Sequence, residues 1–305
     1  MATKPIIGVW YQPVSSFAKW KARGINALIG YENEGGAVTL DQYCDAALTA
    51  GLQVILQWSS TTSARATTDA NVIAVINTPD EPDGAGNVDS ATMIAQYTAI
   101  KAVTTKPVFI NFDGWKMQYR PAADYAQYVQ AGDWIAVDYY PVNRGMVNAD
   151  PAIGPVVNDI PAIAARVKLL QSLVDPTRTG VEFFAFIETS DQNLRVQSWA
   201  TQPDSTGTPP YARMRGPTAV EVNTELATVI TAGAWPCYFP DVIGANFESF
   251  DGTPDDVAAV ITAKNQAITQ PPIPLQPITI TINQTIGAQG YAQQRVTQTV
   301  TLTPN

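Results

Sequence analysis

The sequence contains no histidine, and of its 305 residues only two are cysteine and 18 are lysine or arginine. Each scarcity excludes a chemistry. Without imidazole there is no Ser-His-Asp triad, no His-paired cysteine nucleophile and no histidine-rich zinc or iron centre. Acid–base work near neutral pH falls instead to carboxylates, tyrosine, lysine or cysteine. Cys44, in a helical pattern, and Cys237, beside Pro236, form neither a disulfide framework nor a metal-ligand spacing, and read as buried thiols. The 27 acidic residues leave a formal net charge of -9, which disfavours a phosphate-binding surface and so a nucleic-acid partner. No apolar run approaches the roughly 20 residues of a membrane span, so no membrane partner is expected. The opening Met-Ala-Thr-Lys-Pro lacks the apolar centre of a secretory signal; the expected location is the cytoplasm, or a virion or exterior reached by another route. No metal and no cofactor are expected.

What is present describes a folded globule, with 46% hydrophobic and 15% charged residues. Short β-rich runs alternate with helical patterns, the signature of a parallel sheet with crossover helices. Eight candidate strands follow: 8–13, 26–32, 53–58, 72–81, 107–114, 134–140, 182–189 and 242–248. Runs such as Val54-Ile55-Leu56 and Phe183-Phe184-Ala185-Phe186-Ile187 are apolar throughout, as in strands covered on both faces. Helical stripes recur at Leu40, Tyr43, Cys44, Ala47 and Leu48, at Ile163, Val167, Leu170 and Val174, and at Val222, Leu226, Val229 and Ile230. Pro121, Pro161 and Pro217 precede helical runs, and Gly24, Gly51, Gly132 and Gly233 stand where helices end before the next strand. The Thr- and Ala-rich segment 59–71 predicts a short or irregular third helix.

The expected fold is therefore an α/β protein, a (β/α)8 TIM barrel over residues 1–268, within the usual size of that fold. A Pro-rich linker, 269–277, and a β-strand tail, 278–305, follow it. The tail alternates cleanly over 278–282 and 296–303. Two strands alone are marginal, so the tail is expected to pack on the barrel, on another copy or on an assembly partner.

In such a barrel the carboxyl ends of the strands form the active-site mouth. Standing there are Trp10 and Tyr11, Glu32, Trp58, Asp80 and Glu81, Asn111 with Asp113 and Trp115, Asp138 and Tyr139, Glu188, and Asn246 with Phe247 and Glu248. Aromatic rings grip the C–H faces of sugars, polar groups take the hydroxyls, and acetal hydrolysis needs two carboxyl groups. Glu81 and Glu188 are the natural pair, with Glu248 as a rival for the second place.

Thr78-Pro79-Asp80-Glu81-Pro82 and residues 181–189, Val-Glu-Phe-Phe-Ala-Phe-Ile-Glu-Thr, resemble the fourth- and seventh-strand motifs of the clan A glycoside hydrolases. Asp80 stands where the clan usually has Asn. The resemblance implies a retaining glycosidase acting on a poly- or oligosaccharide, with Glu81 as acid/base, Glu188 as nucleophile and Tyr139 orienting that nucleophile. Plainer roles compete: a strand-end carboxylate also makes ion pairs and loop caps, a strand-end Trp is often core, and Glu32 reads equally as part of a solvated loop. The long segment 190–215 either covers the cleft or is a loop without a role. The alternative from another class is a non-catalytic carbohydrate-binding or structural barrel, a module of a larger assembly such as a phage virion tail.

Overall fold

The computed structural model describes residues 5–84, 88–142, 159–190, 216–243, 249–269, 278–282 and 296–300. Its centre is a closed barrel of eight parallel strands, in sequence order around the ring. These are β1 (Gly8–Trp10), β2 (Ala27–Ile29), β3 (Gln53–Gln57), β4 (Val72–Ile76), β5 (Val108–Asp113), β6 (Trp134–Asp138), β7 (Glu182–Glu188) and β8 (Trp235–Phe239). The helices are α1 (Phe17–Ala22), α2 (Leu40–Thr49), α3 (Ser63–Thr68), α4 (Ser90–Lys101), α5 (Ala122–Tyr128), α6 (Pro161–Leu173), α7 (Ala219–Thr231) and α8 (Asp255–Thr269). Among the described residues one helix follows each strand, with short elements intervening in places, so the expected (β/α)8 barrel is the fold observed. Its third helix has only six residues.

The eighth strand is not where the sequence placed it. It is Trp235–Phe239, which pairs with β7 through Ala185↔Pro236 and Glu188↔Phe239 and closes onto β1 through Gly8↔Cys237. Proline lacks a ladder donor and ordinarily disfavours a central strand, yet Pro236 stands inside this one, opposite Ala185. The stretch assigned to strand eight instead begins a separate antiparallel ribbon, β9 (Asp241–Ile243) with β10 (Ser249–Asp251). Asn246, Phe247 and Glu248, expected at the end of strand eight, lie outside the described residues, as does 191–215; the end of strand eight is Phe239.

Alternate residues of a strand face opposite ways. Ile29, Ile55, Ile76, Phe109, Phe184 and Phe186 fill the barrel interior, while the opposite faces meet the helices, as where Tyr238 on β8 donates to Asn265 on α8 at 2.7 Å. Helix boundaries follow local chemistry. Thr39 and Thr218 cap α2 and α7 in capping boxes, and Gly24, Gly51 and Gly233 take the left-handed conformation that ends a helix. Gly132 differs: its backbone is extended, and it is small because a Cβ there would meet the Ile110 side chain at 2.5 Å. Both cysteines are free and buried.

Two helical stripes shift from their expected positions. On α2, Tyr43, Cys44 and Ala47 are buried while Leu48 is 62% exposed. On α7, Val222, Leu226 and Val229 are buried, Ile230 is 41% exposed, and the fourth inward place belongs to Glu225. The chain divides into two units, Met1–Ala267 and Ile268–Asn305. In the second, β11 (Ile278–Ile282) and β12 (Val296–Val300) pair antiparallel, Ile278 opposite Val300.

Candidate active site

The alternation that packs the barrel continues into its mouth. On β5, Phe109 is interior, so Asn111 and Asp113 share its face; on β6, Trp134 and Ala136 are interior, and Asp138 follows. The register sets Asp113 beside Asp138. Asn111 ties the group together, its amide nitrogen donating to Asp80 Oδ1 at 3.1 Å and to Asp138 Oδ2 at 3.3 Å. Glu81 arrives from the loop after β4, and its carboxyl hydrogen-bonds that of Asp138.

That loop is held in an unusual shape. Thr78–Pro79 is cis, and Glu81 has φ 47°, a left-handed backbone that non-glycine residues rarely adopt away from functional sites. Gly84 N–H donates to Glu81 O at 2.8 Å and closes the turn. Asp83 anchors it from below: it accepts from Asp113 N–H at 3.1 Å and from Tyr125 O–H of α5 at 2.8 Å.

Crowded carboxyls hold protons. Burial raises Asp138 well above the ordinary carboxylate range, and the charge of Glu81 and the hydrogen bond with it raise it further. Asp80 is pushed up to about 7, first by burial and then by the Glu81 charge. Yet Asp80 keeps an exposed surface although protein surrounds it, as at the floor of an open mouth, and the water there tempers the push. Burial also raises Asp83, to about 6.

Glu188 ends β7 in a different setting. It is fully buried, its Oε1 accepts from Val142 N–H at 2.6 Å, and its carboxyl meets that of Glu225 from α7. Burial, then the Glu188 charge, raises Glu225 well above the usual range. Tyr139, adjacent in sequence to Asp138, takes the opposite face of β6. Its ring lies against Trp115, centroids 4.6 Å apart, with the Arg166 guanidinium of α6 3.6 Å from its own centroid. It is close enough to Glu188 for that charge to bear on the phenol.

The remaining expected residues divide. Tyr11, at φ 38°, has its hydroxyl on Gln57 and its ring over Gly30, where a Cβ would meet it at 2.4 Å. Trp10 is half-buried and packs edge-on to Phe186 at 5.4 Å. Glu32 is buried and accepts from Glu34 N–H at 2.8 Å, which makes it a loop cap. Asp113 caps the turn after β5 through Trp115 N–H at 2.8 Å and Lys116 N–H at 3.3 Å. Trp115 is 6% exposed and so belongs to the packing. Trp58 is half-buried beyond β3. The sequence reading missed Asp83, Arg166 and Glu225. Only Glu225 carried a signal there, a carboxylate inside an apolar helical stripe.

No residues form a cluster fit for a metal ion among those described, and no helix among them is long and apolar enough to cross a membrane. Neither a protein-family model nor a curated protein matches the sequence. Solved structures do match in fold. An endo-β-1,4-mannanase from Thermotoga petrophila aligns at TM-score 0.53 and 11% identity, over 92% of this chain and 80% of that one. A β-galactosidase from the psychrophilic Marinomonas ef1 aligns at 0.56 and 12%, over 86% of this chain and 59% of that one. A glycoside hydrolase family 5 mannosidase from Rhizomucor miehei aligns at 0.52 and 10%, over 88% and 96%. The class that fold and mouth define is a (β/α)8 barrel with a carboxyl-rich carboxyl-terminal face. Within that class, the resemblance to clan A barrels holds at the level of fold.

Proposed function

We propose that the chain is a glycoside hydrolase that cleaves a poly- or oligosaccharide with retention of anomeric configuration. The observation that carries the proposal is Glu81, held in left-handed backbone at the mouth with its carboxyl against a proton-bearing partner, Asp138. A mouth carboxyl hydrogen-bonded to a second, proton-bearing carboxyl is an arrangement suited to the proton transfer that cleavage of an acetal needs. Fold kinship with mannanases and a galactosidase supports a carbohydrate substrate.

Asp138 touches Glu81, whereas two carboxyls that flank a glycosidic bond stand about 5 to 5.5 Å apart in retaining enzymes and farther in inverting ones. Asp138 is therefore too close to be the second catalytic carboxyl, and in this reading Glu188 is the nucleophile, with Glu248, outside the described residues, as its rival. Glu188 attacks the anomeric carbon as the glycosidic C–O bond breaks and Glu81 gives its proton to the leaving oxygen. Water then attacks the glycosyl ester, Glu81 takes that water's proton, and Glu188 leaves as carboxylate. Glu188 has no exposed surface, so the arriving sugar must displace what covers it. Tyr139 orients Glu188 from the neighbouring strand, while Trp10, Tyr11, Asp80 and Asn111 line the approach.

Hydrolysis of soluble β-1,4-mannan and of p-nitrophenyl β-mannoside and β-galactoside, with product anomers followed by NMR, tests this reading. Retention is expected, with Glu188→Gln abolishing turnover and preserving binding. Net inversion, or an active Glu188→Gln, removes Glu188 as nucleophile. Sugar binding with no hydrolysis by the wild type across a wider glycan panel returns the chain to the binding-module alternative.

A further inference from the structure

Glu225 occupies a place on α7 that an apolar residue would ordinarily take. Both its carboxyl oxygens are buried and neither accepts a well-formed hydrogen bond among the described residues; the Glu188 backbone lies near enough to favour the ionised form only weakly, less than burial and the neighbouring charges oppose it. The residue has no exposed surface, and no salt bridge among the described residues reaches it. A bare buried carboxylate is among the costliest groups a fold can carry. Its neighbour offers the resolution, because the Glu188 carboxyl lies within hydrogen-bonding reach of it. Two carboxylates cannot satisfy one another, but a carboxylic acid and a carboxylate can, through one O–H···O bond of the strong, charge-assisted kind.

We propose that Glu225 is a positioning residue for Glu188: it keeps its proton and donates it in a hydrogen bond to the Glu188 carboxylate, fixing that group and keeping it ionised. The bond adds a donor to the one that Val142 N–H already supplies to Glu188. Hydrogen bonds to the charged form favour ionisation, the state a nucleophile needs. The proton stays on Glu225 throughout.

The surrounding charges fit. Burial, the Glu188 charge and the charge of Glu221 one turn earlier on α7 all favour a protonated Glu225. On α6, Arg166 is engaged by Gly114 O and Ala162 O and lies on Tyr139, and Lys168 is exposed. On β7, Glu182 accepts from Trp235 N–H. On β8, the Cys237 thiol is buried with its pKa raised, and Tyr238 donates to Asn265.

The inference rests on Glu188 as nucleophile, but its test reads the proton without any substrate. Thermal unfolding of the full chain is followed from pH 4.5 to 8.5 for wild type, Glu225→Gln and Glu225→Met. A group whose folded pKa is raised contributes stability that is complete below its unfolded pKa and is lost as pH rises toward the folded one. The amide of E225Q makes the same donation with no proton to lose. The Tm of E225Q should therefore gain on the wild type as pH rises, by about 2 °C or more per pH unit. A difference that is flat or shrinks with pH overturns the proposal, and so does an E225Q that fails to fold. E225M loses the donor. Where hydrolysis is measurable, the acid limb of its kcat/KM profile should move up by about one pH unit, tenfold in proton affinity, while E225Q keeps the wild-type limb. Equal limbs in the two variants make Glu225 structural only. Absence of hydrolysis from every form refutes the glycosidase reading and leaves the pH–Tm result standing.

Discussion

The barrel mouth holds two carboxyl pairs that differ in their access to water. Glu81 and Asp138 stand beside the exposed Asp80, and Glu81 itself is half-buried. Glu188 and Glu225 have no exposed surface. In both pairs one carboxyl is driven to hold a proton by burial and by its partner's charge. The difference lies in exchange. A pair in contact with water can lose and regain its proton between steps, as acid/base work demands. A sealed pair holds its proton and its geometry, as a nucleophile that must stay ionised demands. Similar chemistry, placed on two sides of one rim, thus suits two different tasks.

Breaking the open pair has the largest expected effect. Glu81→Gln removes the group that gives and takes the protons in the proposed mechanism, and kcat should fall by about 100- to 10,000-fold. The loss should be smallest on substrates with a good leaving group, which need no protonation. An unchanged kcat on β-1,4-mannan would displace Glu81 from the mechanism. Asp138→Asn is gentler. The amide still donates to Glu81 but has no acidic proton to exchange with it. On β-1,4-mannan kcat should fall by about tenfold, and substrates whose leaving group needs no protonation should be least affected. An equal loss on every substrate would instead mean that Asp138 positions the loop.

Much of this layout is legible in the amino-acid sequence. The alternation of strands and helices, and the apolar runs of β3 and β7, carry the barrel, since buried parallel strands have that composition. Asp138 and Glu188 could be placed at strand ends because position along a strand decides which residues reach the mouth, whereas strand four stops at Ile76, short of the expected 81, and leaves Glu81 in the loop beyond it. Pro236 stands inside the eighth strand, a case in which closure of the ring outweighed a local preference. The pairing of the carboxyls was not legible. Which acid meets which depends on the backbone turn at Glu81 and on the inward face of α7, and neither is written in strand order. Glu225 shows the limit well: it stands between Val222 and Val229 in plain view, yet a carboxylate in an apolar stripe gains meaning only when its partner across the strand is known.

The smallest expected effect lies below the open pair, where Asp83 joins the Glu81 loop to β5 and α5. The rise of Asp83 from 3.8 to about 6, caused first by burial, means that its contribution to stability is complete below pH 4 and is lost as pH climbs to about 6. Tyr125 O–H limits that loss, because its hydrogen bond favours the ionised form. Tyr125→Phe should therefore cost about 1 kcal/mol at pH 5, where Asp83 is largely protonated, and about twice that at pH 8, where a buried carboxylate loses a donor. Urea unfolding at the two values measures the difference. Equal stability of Tyr125→Phe and wild type at both values would show that the ring, packed against Phe112 at 5.7 Å between centroids, and not the hydroxyl, makes the anchor. In that case the Glu81 loop is anchored by shape, and the contrast between the two pairs rests on water access at the rim alone.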